Sequence, residues 1–135
     1  MHNRALIDFI GFIQLLIVPG SVKDNLDRLQ QALQDLQPPR RSLLVLPELW
    51  GTGFCYQELD NIQEDISRLI LELQSLAGKY DILLAGSLPE KVSEIKGIYF
   101  NTLRIIGENG CCGQYRKQHL FPGEEVAFSG STENP

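Results

Sequence analysis

The hydrophobic period of this chain switches repeatedly along its length, and the order of those switches limits the folds open to it. Val22, Leu26, Leu29, Leu33 and Leu36 recur at helical spacing with charges and glutamines between them, and Pro38-Pro39 closes the stretch. Leu43-Leu-Val-Leu46 follows without polar alternation, as expected for a strand buried on both faces. Ile62, Ile66, Leu69, Ile70, Leu73, Leu76 and Ala77 mark a second amphipathic helix with Gly78 near its end, and Ile82-Leu-Leu-Ala85 repeats the buried-strand pattern. Before the first helix, β-branched and aromatic residues from about Leu6 to Val18 predict a strand ended by Pro19-Gly20-Ser21. Beyond Pro89, Ile98 to Ile106 and Cys112 to Arg116 flank Gly107-Glu-Asn-Gly110, a hairpin signal. The predicted class is α/β: β-α-β-α-β followed by an antiparallel hairpin toward one edge of the sheet.

Bulk properties exclude several function classes. A chain of 135 residues with 43% hydrophobic residues can bury a core as one domain. A formal charge of -5 disfavours a nucleic-acid partner, which needs a basic stripe. The apolar stretch Ile10 to Val18 is interrupted by Gln14 and is too short to span a bilayer, and Met1-His-Asn-Arg4 lacks the features of a signal peptide. The expected setting is cytoplasmic, with no membrane association. Cys55, Cys111 and Cys112 are odd in number and lack metal-ligand spacing, so neither a disulfide framework nor a metal site is expected, and no cofactor motif stands out.

Two segments could carry chemistry. Glu48 directly follows Leu43-Leu-Val-Leu46-Pro47, at the end of a buried strand where open α/β sheets place their ligand sites. Partial desolvation there would raise its pKa toward the range of a general base, unless a nearby cation holds it ionised. The competing reading is an N-cap or a loop carboxylate paired with a surface lysine. Lys117, in Tyr115-Arg-Lys-Gln-His-Leu-Phe121, lies just past the hairpin's second strand and could aim an ammonium into the same cleft; Arg-Lys at a strand end is equally consistent with a solvated edge. His119, a lone histidine between polar and apolar residues, reads as structural.

These segments together resemble a known family. Leu44-Val-Leu-Pro-Glu-Leu-Trp-Gly-Thr-Gly-Phe54 resembles the nitrilase-superfamily segment whose glutamate is the general base, and Tyr115 to Phe121 resembles its lysine segment. Tyr99-Phe-Asn-Thr102, Ala85-Gly-Ser-Leu-Pro-Glu90, and Ile13-Gln14 followed by Pro19-Gly20 and Asn25-Leu26 match further pieces in the expected order.

The resemblance implies a Cys-Glu-Lys carbon–nitrogen hydrolase acting on a small amide or nitrile, with Glu48 as base and Lys117 as oxyanion stabiliser. It also implies a second glutamate past the lysine, for which Gly123-Glu124-Glu125 offers two candidates, Glu124 fitting better by its spacing to Phe128. Trp50 and Phe54 are candidate pocket-lining residues, with a core role as the alternative. The loop they bound looks more like that of hydrolases of ω-amides or N-carbamoyl compounds than that of acyltransferase branches.

The implied fold is the N-terminal portion of an α-β-β-α sandwich, here residues 1–135, with the second half and the nucleophilic cysteine lying on later sequence. The family commonly forms homo-oligomers. Cys111 and Cys112 are expected at the hairpin end, roughly 15 Å or more from Lys117 at ~3.3 Å per residue. Cys55 reads as a packed small hydrophobe. The alternative from another class is a non-catalytic interaction module that pairs with a homologous chain.

Overall fold

In the computed structural model, which describes residues 7–92 and 98–132, each change of period becomes a change of element. The order is β1 (Phe9–Phe12), α1 (Val22–Leu36), β2 (Ser42–Val45), α2 (Gln63–Tyr80), β3 (Leu83–Lys91), β4 (Tyr99–Gly107) and β5 (Gly110–Arg116), with a single 3-10 turn at Glu124–Val126. One sheet runs β1-β2-β3-β4-β5; β1, β2 and β3 are parallel and β4 and β5 antiparallel.

Helix α1 buries Val22, Asn25, Leu29 and Leu33 on one stripe and stops at Gln37, which takes a left-handed conformation before Pro38-Pro39. Helix α2 carries Glu64 and Asp65 in its first turn and Lys79 in its last, favourable to the helix dipole. It runs on through Gly78 to Tyr80, and Asp81 supplies the left-handed cap. Helix α2 packs on β3 and β4, and α1 packs against α2. Leu44, Leu84 and Ile106 are in register on the helix-covered face and are buried.

The opposite face follows from the alternation of side chains along a strand. Phe12, Val45, Ala85 and Ile105 are in register there, with Ile10, Leu103 and Tyr115 on the same parity. Ile10, Phe12, Val45, Leu103 and Tyr115 are exposed, Phe12 at 80%. The sheet therefore has one face under helices and one open face among the described residues.

Three boundaries differ from the sequence reading. The first strand is limited to Phe9–Phe12, since the chain from Ile13 leaves the ladder after one bond to the Val45 carbonyl; Leu6 lies outside the described residues. Strand β3 continues past Ala85 to Lys91, because β4 pairs with it as far as Tyr99. The hairpin turns at Glu108-Asn109, with Gly110 at φ 106° and a bulge between Ile105 and Ile106, so Gly110 begins β5.

Candidate active site

The turn after β2 fixes Glu48. Leu46 N–H donates to the Ala85 carbonyl, and Leu49 N–H donates to the Ser87 hydroxyl at 2.8 Å. Leu49 adopts φ 49°, a left-handed conformation uncommon for a branched residue, and its carbonyl accepts from Thr52 and Gly53. Asn25, fully buried on α1, accepts from Val18 N–H and donates to the Val18 and Gly51 carbonyls. One buried amide thus ties α1 to the segment that precedes it and to the chain just after Glu48.

Lys117 is held from the other side. Its N–H donates to the Asn101 carbonyl at 2.9 Å, and its own carbonyl accepts from Ser131 N–H at 3.0 Å. Lys117 stands two residues past Tyr115, so it shares the open face. Its ammonium donates to Glu48 Oε1 at 2.8 Å and lies 2.9 Å from Glu124 Oε2. Glu124 is buried, and its carboxylate also accepts from Phe121 N–H at 2.6 Å. Glu125 instead caps Gly123 N–H, so of the two adjacent glutamates it is Glu124 that joins the cluster.

Burial alone would lower the Lys117 pKa, but hydrogen bonds and charge from Glu48 and Glu124 outweigh it, and the pKa is raised. A raised lysine pKa means a full positive charge at neutral pH. The Glu48 side chain is 45% exposed, so it is only partly withdrawn from water, and the Lys117 ammonium stands 2.8 Å from its Oε1. The cluster opens into a cleft of about 410 Å³ lined by Glu48, Phe54, Tyr56, Lys117, Phe121 and Glu124, among others. A half-exposed carboxylate beside a fixed ammonium can accept a proton, and the ammonium can stabilise an oxyanion.

The remaining candidates divide. Phe54 lines the cleft, and Tyr56, edge-on to both Phe54 and Phe128, lines it as well. Trp50 is not brought there: it is fully buried, with its indole against Gly86. His119 is exposed and stands outside the cluster. Burial pushes the Cys55 thiol pKa up, which disfavours the thiolate. Cys111 and Cys112 line a separate hollow at the Gly110 end of β5, away from Lys117. No cluster of three or more metal-ligating side chains occurs among the described residues.

Sequence reasoning assigned no role to Asn101, Ser87 or Tyr56. The parity that puts Asn101 opposite Lys117 across β4 and β5 would have found the first; Ser87 is marked only by lying in the matched segment Ala85 to Glu90, and nothing in the residue pattern marks Tyr56.

The carbon-nitrogen hydrolase family profile matches residues 9–134. The chain is 29% identical to a probable nitrilase from Schizosaccharomyces pombe over 93% of its length and 48% of that protein. It is 30% identical to a 2-oxoglutaramate amidase from Bacillus subtilis over 93% of its length and 49% of that protein. The crystal structure of an amidase from Nesterenkonia sp. superposes with a TM-score of 0.78 at 25% identity, covering 93% of this chain and 49% of that one. The chain spans about half the length of the curated relatives it matches. With a profile match over nearly its whole length and the same mixed α/β fold as those amidases, this chain belongs to the carbon-nitrogen hydrolase family.

Proposed function

We propose that residues 1–135 supply the acid–base and electrostatic part of an amidase-type hydrolase whose substrate is a small amide. The nucleophilic thiol comes from sequence outside these residues. In this reading Glu48 takes the thiol proton, and the thiolate adds to the amide carbon while the carbonyl electron pair moves to oxygen. Lys117 stabilises that oxyanion. Collapse breaks the carbon–nitrogen bond, and the amine leaves with the proton from Glu48. Water, deprotonated by Glu48, then releases the acid from the thioester.

The observation that carries this reading is the ammonium of Lys117 held between Glu48 and Glu124 on the open face of the sheet. A second layer on that face would bring its own side chains to the mouth of the cleft. Glu124 serves here by holding Lys117 and the Phe121 backbone in place. Phe54 and Tyr56 offer an apolar wall for the substrate, and the 2-oxoglutaramate amidase among the relatives favours an ω-amide. Three free cysteines, two of them exposed, suit a reducing cytoplasm, and the open face suits assembly with a second copy.

The test is ammonia release from small ω-amides by residues 1–135 alone and by the protein extended with the sequence encoded after codon 135. The expected result is turnover by the extended protein only, abolished by thiol alkylation. Turnover by residues 1–135 alone that survives alkylation would contradict the thiol mechanism. A stop codon directly after Pro135, or an extended protein without turnover, would favour a non-hydrolysing interaction module, a reading that the bare apolar face supports.

A further inference from the structure

Glu48 is half exposed on a turn, and a carboxylate so placed samples several rotamers unless something holds it. Two donors do, and both use the same oxygen: Asn101 Nδ2 at 2.7 Å and Lys117 Nζ at 2.8 Å converge on Oε1. Neither bond engages Oε2. We infer that Asn101 is a positioning residue that locks Oε1 of Glu48 and thereby presents Oε2 as the proton-accepting atom. The inference rests on the amidase reading for its catalytic meaning, while the geometry it describes stands apart from that reading.

The Asn101 amide can face Glu48 only with its NH2 group, because a carboxylate accepts and never donates when ionised. That orientation leaves Asn101 Oδ1 buried without a hydrogen-bond partner among the described residues, in a residue only 2% exposed. An unmet buried acceptor is destabilising, so the side chain is a poor choice for fold stability and a good one for holding a carboxylate. Its main-chain carbonyl separately accepts from Lys117 N–H, a bond that no side-chain substitution removes. Changes at this position therefore probe the Glu48 contact while the strand pairing that places Lys117 is kept.

Two variants decide the matter in the extended protein. Asn101→Leu fills similar space without a donor or an orphaned acceptor. It is expected to melt at or above the parent temperature, with kcat lowered about tenfold or more and KM within about twofold, the pattern of a misplaced catalytic group. Asn101→Asp preserves the shape but sets a second carboxylate against Glu48. It should be slower than Asn101→Leu at neutral pH and recover as pH falls into the range where the two carboxyls share a proton. A role confined to shape predicts the reverse ranking.

Side-chain 13C relaxation of Glu48 in residues 1–135 supplies a readout independent of turnover: Glu48 should be more mobile in Asn101→Leu. Parent-like kcat in both variants, or Glu48 equally ordered with and without the amide, would overturn the inference. If the parent protein releases no ammonia, the amidase reading fails, and the relaxation result alone decides for or against Asn101.

Discussion

Lys117 has two carboxylates within hydrogen-bond distance, and they differ in what they lose when it is removed. Glu48 turns to water, being 45% exposed, whereas the side chain of Glu124 is 4% exposed and would keep its charge with little but the Phe121 N–H to balance it. Lys117→Met is therefore expected to destabilise the chain by about 3 kcal/mol, the usual consequence of orphaning a buried charge. Adding Glu124→Gln should recover part of that loss, which urea unfolding of the two single variants and the double would measure as a coupling energy. Purely additive losses would mean the pair is not coupled.

Away from the cleft, the Arg116 hydrogen bond, aided by Thr102 and Arg104, outweighs burial and holds the Glu90 pKa low. A depressed folded pKa gives stability that is fully present above the ordinary glutamate range, about 4.3, and is lost as pH falls through the folded value. Glu90→Gln should flatten this acid limb in a plot of melting temperature against pH. Lys117, whose pKa is raised, loses its charge, and the stability that charge gives, only in strongly alkaline solution, so it stays charged across the neutral range.

Elements bring these residues together through tight approaches. A Cβ at Gly86 would stand 2.7 Å from Trp50 Cδ1 and 3.1 Å from Leu46 Cβ, so the bare backbone of β3 is what lets the indole pack against it. Gly86→Ala is expected to destabilise by about 1–3 kcal/mol by overpacking. Denaturant unfolding checks this, and an unchanged midpoint would show that the indole has room to move.

The helices and the positions of the first strands were legible in the sequence because each has one dominant period: Leu29 and Leu33 at helical spacing, Leu43 to Leu46 as an unbroken run. Burial of that run on both faces is corrected by the structure, because Val45 stands exposed on the sheet face that no helix covers. The reach of β3 beyond Ala85 was not legible, because Pro89-Glu90-Lys91 has the composition of a loop and is strand only through pairing with Tyr99 to Asn101. Motif order singles out Glu48, Lys117, Glu124 and Phe54, and the fold brings all of them to one cleft. Trp50 was ambiguous because an aromatic beside glycines suits a pocket or a core, and only the packing against Gly86 separates the two.

Among the described residues the molecule is a sheet covered on one side. Helices α1 and α2 bury one face, while Ile10, Phe12, Val45, Leu103 and Tyr115 stand in the open on the other, the face that also carries Lys117. Exposed apolar surface of this kind favours association. Residues 1–135 on their own are expected to elute from a sizing column above their 15.2 kDa mass, and Phe12→Lys should shift them toward it; a parent chain that is already monomeric would count against association through this face.

In the proposed mechanism the same openness would let a thiol from another layer approach the Glu48–Lys117 pair, and that proposal depends on the pair working as base and cation. The most direct measurement is the rate of ammonia release by the extended protein carrying Glu48→Gln, a change that keeps the size of the side chain and removes its basicity. The account predicts kcat lower by about 10²-fold or more with the fold intact by circular dichroism. A rate within about twofold of the parent would contradict it, because a glutamine cannot take the thiol proton.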